Sequence, residues 1–204
     1  MEGIKIKKLI IVGAGGHGKC CLDIAREMKI YDEIVFLDDH HLNESINDCK
    51  VIGSIDEMSS YYPEYTSIFI AIGNNQIRSR LLLQAKEIGY ELPILQHPTS
   101  IVSKYATIKE GTVIFPNTVI ENNANISNGC IITANTTINH DAYIEDYVLI
   151  YSNTVIRPNT LIGAYTRIGS NCTITFGTKI KACSDIDDGV VVKENQEYSF
   201  EMGV

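Results

Sequence analysis

The most regular feature of the sequence is an aliphatic residue at every sixth position from Val102 to Val192. The series is unbroken over 90 residues and consists of Val102, Ile108, Ile114, Ile120, Ile126, Ile132, Ile138, Ile144, Ile150, Ile156, Ile162, Ile168, Ile174, Ile180, Ile186 and Val192. A period of six fits neither an α-helix nor the alternation of a simple strand. It is typical of a parallel β-helix, in which each hexapeptide forms a short strand and a corner, and three hexapeptides close a triangular coil. The span predicts five coils of 18 residues, stacked over about 24 Å.

A second series of residues, which we call the small-residue column, accompanies the aliphatic column just described. Most of the aliphatic residues are followed, four positions later, by a small or β-branched residue, beginning with Ala106, Thr112 and Thr118. We expect the aliphatic side chains to fill the interior of each coil and the small ones to lie where a corner leaves little room.

The first third of the chain has a different pattern. Apolar runs at 9–12, 34–37 and 68–72 alternate with amphipathic helical segments at about 21–28 and 76–88, and a further strand is possible at 92–95. Such alternation predicts a parallel sheet with helical crossovers. The sequence therefore predicts two domains, at 1–97 and 98–204. Their fold class is α/β plus all-β, a small Rossmann-like βαβ domain followed by a parallel β-helix.

A glycine-rich loop follows the first apolar run. Gly13, Gly15 and Gly18 match the pattern G-x-G-x-x-G between a strand and a helix, and Asp38 closes the next strand. This context is that of dinucleotide binding. Only about 95 residues precede the repeat, enough for one mononucleotide-binding half. We interpret the loop as a cradle for a nucleotide diphosphate, with Asp38 or Asp39 on ribose or base hydroxyls. The alternative is a glycine turn that only packs the helix on the sheet.

Composition excludes several classes of partner. A formal net charge of −8 argues against nucleic acid or an acidic membrane surface as a partner. No apolar run approaches the length needed to span a bilayer, and the segment Met1–Lys8 lacks the features of a secretory signal. We therefore expect a cytoplasmic protein. Its six cysteines form no C-x-x-C pair and are interpreted as reduced packing residues. His40 and His41 adjoin two aspartates, but we interpret this cluster as a polar loop and expect no metal.

The repeat contains one histidine, His140, followed by Asp141. Counted from Ile138, both residues occupy a corner and point out of the prism, so burial in the core does not explain the imidazole. A histidine with a carboxylate neighbour suits a general base near neutral pH. The alternative is a solvated polar corner, like Asn122 one coil below.

Four sequence segments carry a resemblance to a known family: Gly13–Gly18, Phe36–Asp39, Ile70–Arg78 and Asn139–Asp141. The repeat resembles the left-handed β-helix acyltransferases, and left-handedness is implied by this resemblance alone. Over nearly the whole chain, the two-part arrangement resembles the bacterial nucleotide-sugar acetyltransferases of the PglD and NeuD type. The third segment is especially similar to enzymes that N-acetylate UDP-4-amino-4,6-dideoxy sugars.

The resemblance implies roles for particular residues. His140 would be the general base that takes a proton from the sugar amine as the amine attacks acetyl-CoA, and Asp141 would raise its basicity. The UDP-amino-sugar substrate would contact Gly15, Gly16, His17, Asp38, Asp39 and Gly73. The co-substrate acetyl-CoA would lie between subunits of a homotrimer, along Leu149, Ser170, Asp188 and Gly189.

The sequence departs from the family pattern at three places. Leu149 stands where a second histidine is usual, Arg157–Pro158 where an Ala-Gly pair is common, and Glu201–Val204 where relatives continue with Pro-Ala-Lys. We expect an N-acetyltransferase that moves an acetyl group from acetyl-CoA to the 4-amino group of a UDP-linked 4-amino-4,6-dideoxy sugar by direct attack. The alternatives are a sugar O-acetyltransferase of the sialic-acid type, or a non-catalytic nucleotide-sugar binder, which Leu149 makes possible.

Overall fold

The computed structural model describes residues 7–193 and divides the chain into two compact units between Leu95 and Gln96. Each unit is described by itself. The expectation on Glu201–Val204 lies outside the described residues, as does that on Met1–Lys8 except for its last two residues.

The first unit is a five-stranded sheet with two helices. Its strands are β1 (Lys8–Val12), β2 (Glu33–Leu37), β3 (Ser45–Ile46), β4 (Cys49–Gly53) and β5 (Ser67–Ile70). The helices are α1 (Gly16–Met28) and α2 (Asn75–Ile88), and a 3₁₀ helix spans Ile55–Tyr61. The strand order is β3-β4-β2-β1-β5, with β3 antiparallel to β4 and every other pair parallel. The predicted strands β1, β2 and β5 and both helices are confirmed, whereas β3, β4 and the 3₁₀ helix were not predicted.

The strand order positions a crevice in this unit. From β1, helix α1 leads to β2 on one side, whereas β5 pairs with β1 on the other side. The connections therefore diverge at the carboxyl ends of β1 and β5. In open α/β sheets this is where ligands bind.

The second unit consists of two-residue strands in three parallel sheets, which we call faces 1, 2 and 3. Face 1 contains β7 (Ile101–Val102), β10 (Val119–Ile120), β13 (Thr137–Ile138), β16 (Val155–Ile156), β19 (Thr173–Ile174) and β22 (Val191–Val192). Face 2 contains β8 (Thr107–Ile108), β11 (Asn125–Ile126), β14 (Tyr143–Ile144), β17 (Leu161–Ile162) and β20 (Lys179–Ile180). Face 3 contains β6 (Leu95–Gln96), β9 (Val113–Ile114), β12 (Ile131–Ile132), β15 (Leu149–Ile150), β18 (Arg167–Ile168) and β21 (Asp185–Ile186). The first residue of β6, Leu95, is the last residue of the first unit. The corner that follows each face takes the number of that face.

The predicted 18-residue coil is confirmed by the strand register. Ile120 pairs with Ile138, Ile138 with Ile156, and Ile156 with Ile174. The aliphatic column is buried from Ile114 onward, at 5% exposure or less, and Val102 and Ile108 pack partly buried against it. The small-residue column is buried from Thr112 to Ser184, and its ends, Ala106 and Val190, are partly buried. Its threonine hydroxyls are satisfied internally, as when Thr154 Oγ1 donates to the carbonyl of Gly169 at 2.8 Å.

A third column was not predicted from the sequence. Three residues after the aliphatic position, at successive corners, the backbone is left-handed. The residues with positive φ there are Gly111, Asn117, Asn123, Gly129, Asn135, Asp141, Tyr147, Asn153, Asn159, Tyr165, Asn171, Gly177, Cys183 and Gly189. Glycine and asparagine predominate because they enter this region at the least steric cost. At corner 3 the asparagine amides also form a ladder, in which Asn135 Nδ2 donates to Asn153 Oδ1 at 3.1 Å.

Candidate active site

The glycine-rich loop of the first unit contains two kinds of glycine. Gly13 has φ +96°, and a Cβ on it would lie 2.8 Å from Ile72 Cδ1. A Cβ on Gly18 would lie only 1.9 Å from the Gly13 carbonyl oxygen, so both positions serve close packing. Around Gly15, Gly16 and Gly73, in contrast, a Cβ would meet nothing within 4 Å. A turn that only packs helix on sheet explains Gly13 and Gly18, but it does not require glycine at the other three positions.

The two aspartates after β2 differ in what they contact. Asp38 is 8% exposed, and its carboxylate accepts backbone N–H groups from Ala14 at 2.7 Å, His40 at 2.9 Å and His41 at 3.2 Å. Burial alone would raise its pKa, but these hydrogen bonds outweigh burial and hold the pKa of Asp38 below its usual value. Asp38 therefore fastens the glycine loop to the end of β2. Asp39 is exposed, with Oδ1 accepting the Ile55 N–H at 2.9 Å.

A buried arginine shapes the loop that follows β5. Arg78 is fully buried, and its guanidinium donates to the carbonyls of Ile72 and Gly73 and to Asn75 Oδ1, each at 2.9 Å. Burial, assisted by the charge of Arg78, lowers the pKa of His17 to about 4. His17 is therefore neutral near pH 7, and Arg78 supplies a fixed positive charge close to it.

Two helices begin at this crevice. Helix α1 has Gly15 as its N-cap, and α2 has Asn74, whose side chain accepts the Ile77 N–H at 3.0 Å. Neither helix has an acidic residue in its first turn. Unpaired N–H groups and the positive end of the helix dipole favour a phosphate at such a position. The structure thus brings Gly15, Gly16, His17 and Gly73 to one edge of the sheet, beside the N-termini of both helices.

His140 and Asp141 lie at corner 1 of the second unit. The coil below fixes the backbone of His140, because Glu121 Oε2 accepts its N–H at 2.9 Å. The imidazole Nδ1 is 2.7 Å from Asp141 Oδ2, and Asn123 Nδ2 donates to Asp141 Oδ1 at 3.3 Å. The side chains of His140 and Asp141 are 51% and 45% exposed. Glu121 and Asn123 were not predicted, although Asn123 precedes Asp141 by one coil length and could be found by aligning the coils.

The contact with Asp141 favours one tautomer of the neutral His140 imidazole. The contacts with His140 and Asn123 lower the pKa of Asp141, so the carboxylate is ionised near pH 7 and can only accept. In the neutral imidazole, Nδ1 of His140 therefore carries the hydrogen, and the lone pair is on Nε2, directed away from Asp141. This arrangement can take a proton from a neutral amine or hydroxyl group.

The residues predicted for acetyl-CoA lie elsewhere on the prism. Ser170, Asp188 and Gly189 are at corner 3, where Asp188 Oδ1 accepts the Ser170 N–H at 2.6 Å and the Gly189 N–H donates to the Ser170 carbonyl at 2.8 Å. Leu149 is in β15 on face 3 and is 5% exposed. Face 1 separates corner 3 from corner 1. One chain therefore does not bring these residues together with His140.

Within residues 7–193 the structure shows neither a cluster of His, Cys, Asp and Glu fit to hold a metal ion nor a helix with the length and apolar character of a membrane span. All six cysteines are free thiols.

Comparison with known proteins gives matches over both units. The family model described as the PglD N-terminal domain matches residues 8–85, and the bacterial transferase hexapeptide model matches residues 141–175. UDP-N-acetylbacillosamine N-acetyltransferase of Bacillus subtilis (strain 168) is 33% identical over 115 residues, which are 53% of this chain. The match spans only 51% of that curated relative, about half its length.

Solved structures match over more of the chain. The acetyltransferase domain of PglB from Neisseria gonorrhoeae FA1090 is 34% identical, with a TM-score of 0.90 and coverage of 92% of each chain. The same domain in complex with acetyl coenzyme A has a TM-score of 0.82 and covers 91% of this chain and 95% of that one. GDP-perosamine N-acetyltransferase from Caulobacter crescentus, at 21% identity, has a TM-score of 0.88 over 93% of this chain and 90% of its own. At that identity the last match shows the fold alone.

Proposed function

The chain belongs to the left-handed β-helix nucleotide-sugar acetyltransferases of the PglD type, and on this basis we propose that it acetylates the 4-amino group of a UDP-linked 4-amino-4,6-dideoxy sugar. The observation that carries the proposal is the His140–Asp141 pair at an exposed corner, with Nδ1 2.7 Å from the carboxylate and Nε2 not held by Asp141. The relative from Bacillus subtilis is named for a UDP-linked amino sugar, and the Neisseria gonorrhoeae domain binds acetyl coenzyme A. Both names support this choice of acceptor and donor.

The proposed mechanism is direct attack. The neutral amine attacks the thioester carbonyl carbon, and Nε2 of His140 takes the proton that the amine loses. The tetrahedral intermediate then collapses by breaking the C–S bond, and the proton on His140 passes to the sulfur. The products are the acetamido sugar and free CoA thiol. Asp141 stabilises the imidazolium that exists between the two proton transfers.

The two substrates would use different parts of the chain. The nucleotide diphosphate would bind at the crevice of the first unit, against Gly15, Gly16, His17 and Gly73, and Asp39 would accept a ribose or base hydroxyl. Acetyl-CoA would lie along Leu149, Ser170, Asp188 and Gly189. Because face 1 separates corner 3 from His140 in one chain, we place each active site between two subunits of a homotrimer, one supplying corner 1 and its neighbour corner 3.

The test is a thiol-release assay with acetyl-CoA and UDP-4-amino-4,6-dideoxy-N-acetylglucosamine. His140→Ala should lower kcat by a factor on the order of 10² to 10⁴ and leave Tm nearly unchanged, because the side chain is half exposed. Asn122→Ala is the matched control, since it alters the equivalent position one coil below. An unchanged kcat in His140→Ala would remove the general base from the mechanism.

Two further outcomes would select the alternatives. Acetylation of an analogue that has a hydroxyl in place of the 4-amino group would indicate a sugar O-acetyltransferase. Calorimetric binding of the UDP-sugar without binding of acetyl-CoA would indicate a non-catalytic binder.

A further inference from the structure

Corner 1 continues into the coil above His140. The pairing of Ile138 with Ile156 aligns Asn139 with Arg157, His140 with Pro158 and Asp141 with Asn159. Neighbouring coils are separated by about 4.8 Å, the spacing of adjacent strands. Arg157 and Pro158 are therefore direct neighbours of the general base proposed above.

Attack on a thioester places negative charge on the carbonyl oxygen, and acyl-transfer sites supply hydrogen-bond donors for that charge. At this corner the backbone does not supply them. Pro158 has no N–H, the Arg157 N–H donates to the Ile174 carbonyl at 3.0 Å, and the Asn159 N–H donates to the His140 carbonyl at 3.4 Å.

In the coil of His140 the backbone N–H groups are likewise already engaged in hydrogen bonds. The N–H groups of Asn139 and Asp141 donate to the carbonyls of Ile156 and Asn122, and that of His140 donates to Glu121 Oε2. The backbone of both coils thus leaves the oxyanion without a donor at corner 1.

Arg157 is the side chain placed to take over this task. It is exposed, and its guanidinium makes no hydrogen bond or ion pair with the residues that the structure describes. Among the corner residues 121–123, 139–141 and 157–159, all of them described, it is the one cation. The side-chain amides in this set are neutral, and hydrogen bonds from a charged donor to an oxyanion are stronger. These amides are those of Asn122, Asn123, Asn139 and Asn159.

We propose that the Arg157 guanidinium donates to the thioester carbonyl oxygen and stabilises the oxyanion of the tetrahedral intermediate. This proposal rests on the function proposed above. As the amine nitrogen bonds to the carbonyl carbon, the π electron pair moves to the oxygen facing Arg157, and His140 takes the amine proton. The pair returns as the C–S bond breaks, and CoA leaves with that proton on its sulfur. Arg157 keeps its own protons throughout.

The test compares two donors, acetyl-CoA and S-acetylpantetheine, of which the second lacks the nucleotide phosphates. Arg157→Ala should lower kcat by about 10² to 10³ with both donors, while the calorimetric Kd of CoA changes little. Arg157→Lys should recover part of the rate, because it restores a cation without the planar fork. Asn159→Gly is the matched control, since it removes a corner amide from the same coil and keeps the left-handed backbone.

Three results would overturn the proposal. One is an unchanged kcat in Arg157→Ala. Another is an Arg157→Ala variant in which only the KM of acetyl-CoA rises and the KM of S-acetylpantetheine does not. That result would assign Arg157 to a CoA phosphate. The third is a loss of kcat in Asn159→Gly that equals the loss in Arg157→Ala. If Arg157→Ala keeps its kcat while His140→Ala loses it, the proposed function stands without this inference. A wild-type chain that releases no thiol would refute both.

Discussion

Asp141 meets two requirements with one side chain. Its φ of +59° belongs to the left-handed corner column, where six other positions have asparagine. Its carboxylate also accepts the hydrogen of His140 Nδ1 at 2.7 Å. Asparagine would satisfy the backbone equally well, so the choice of aspartate here points to the charge and not to the turn.

Replacing Asp141 by asparagine therefore removes the charge and keeps a residue suited to the left-handed backbone. Asp141→Asn should lower kcat roughly 10- to 100-fold, because a neutral amide stabilises the imidazolium less than a carboxylate does, and it should leave Tm nearly unchanged. Steady-state kinetics with calorimetric unfolding would measure both. Asn117→Asp is the control, because it exchanges an amide for a carboxylate at the same left-handed column on corner 3, where the side chain contacts Asn135 and not Asp141. A kcat equal to that of the wild type would show that Asp141 serves only the corner.

At the scale of the secondary-structure elements, α1 brings a titratable group into the first unit. His17 lies in its first turn, with a pKa of about 4 compared with 6.5 for a free histidine. Between these pH values the unfolded chain binds the proton and the folded chain does not. Folding stability is therefore lost as pH falls through this window and is unaffected by His17 above it.

His17→Gln should reduce this acid-induced loss. The difference in unfolding free energy between pH 7 and pH 4 should shrink by at most about 3 kcal/mol. Urea unfolding followed by circular dichroism would measure it, since both α-helices of the described residues belong to the first unit. The exposed His40 gives the control His40→Gln, which retains the contribution of Asp38 and should unfold like the wild type. Equal pH dependence in all three proteins would contradict the assignment.

The predictable elements are those that the chain encodes locally. Strands β1, β2 and β5 are continuous apolar runs, and the six-residue period specifies each coil. Strands β3 and β4 were missed because Ser45–Ile46 has two residues and Lys50 interrupts the short run Cys49–Gly53. Their conformation depends on the pairing of β4 with β2, which no local pattern encodes.

In the candidate site, too, the residues that are adjacent in sequence could be predicted, and those brought together by folding could not. His140 and Asp141 are adjacent in sequence and were predicted, whereas Glu121 and Asn123 reach them only through coil stacking, 19 and 18 residues away. Arg78 escaped prediction for another reason. Arginine is rarely fully buried, and no local pattern shows that the loop after β5 and the start of α2 supply acceptors for its guanidinium.

At the scale of the whole molecule, corners 1 and 3 provide a test of the proposed assembly. His140→Ala disables corner 1, and Ser170→Phe places a bulky side chain at corner 3. Each variant alone should be nearly inactive. If a trimer combines the two corners from different subunits, mixing the variants under conditions that exchange subunits should restore about a quarter of the sites.

The thiol-release rate of the mixture is measured before and after subunit exchange. Light scattering verifies that the protein has three subunits. The two substitutions in one chain, mixed with the wild type, form the control for dilution. Activity that stays at the level of the single variants despite complete exchange would place both corners of a site within one subunit.

The strict register of 18 residues also limits how such a molecule can change in length. Removing or duplicating one whole coil would shift everything above it along the axis by about 4.8 Å and leave every column intact. An indel of six residues would instead rotate all later corners by a third of a turn and carry Ser170 and Asp188 away from their edge. The prism can therefore lengthen or shorten in evolution only by whole coils. Each such step would move the proposed donor-binding edge by one coil height and leave the proposed catalytic corner unchanged.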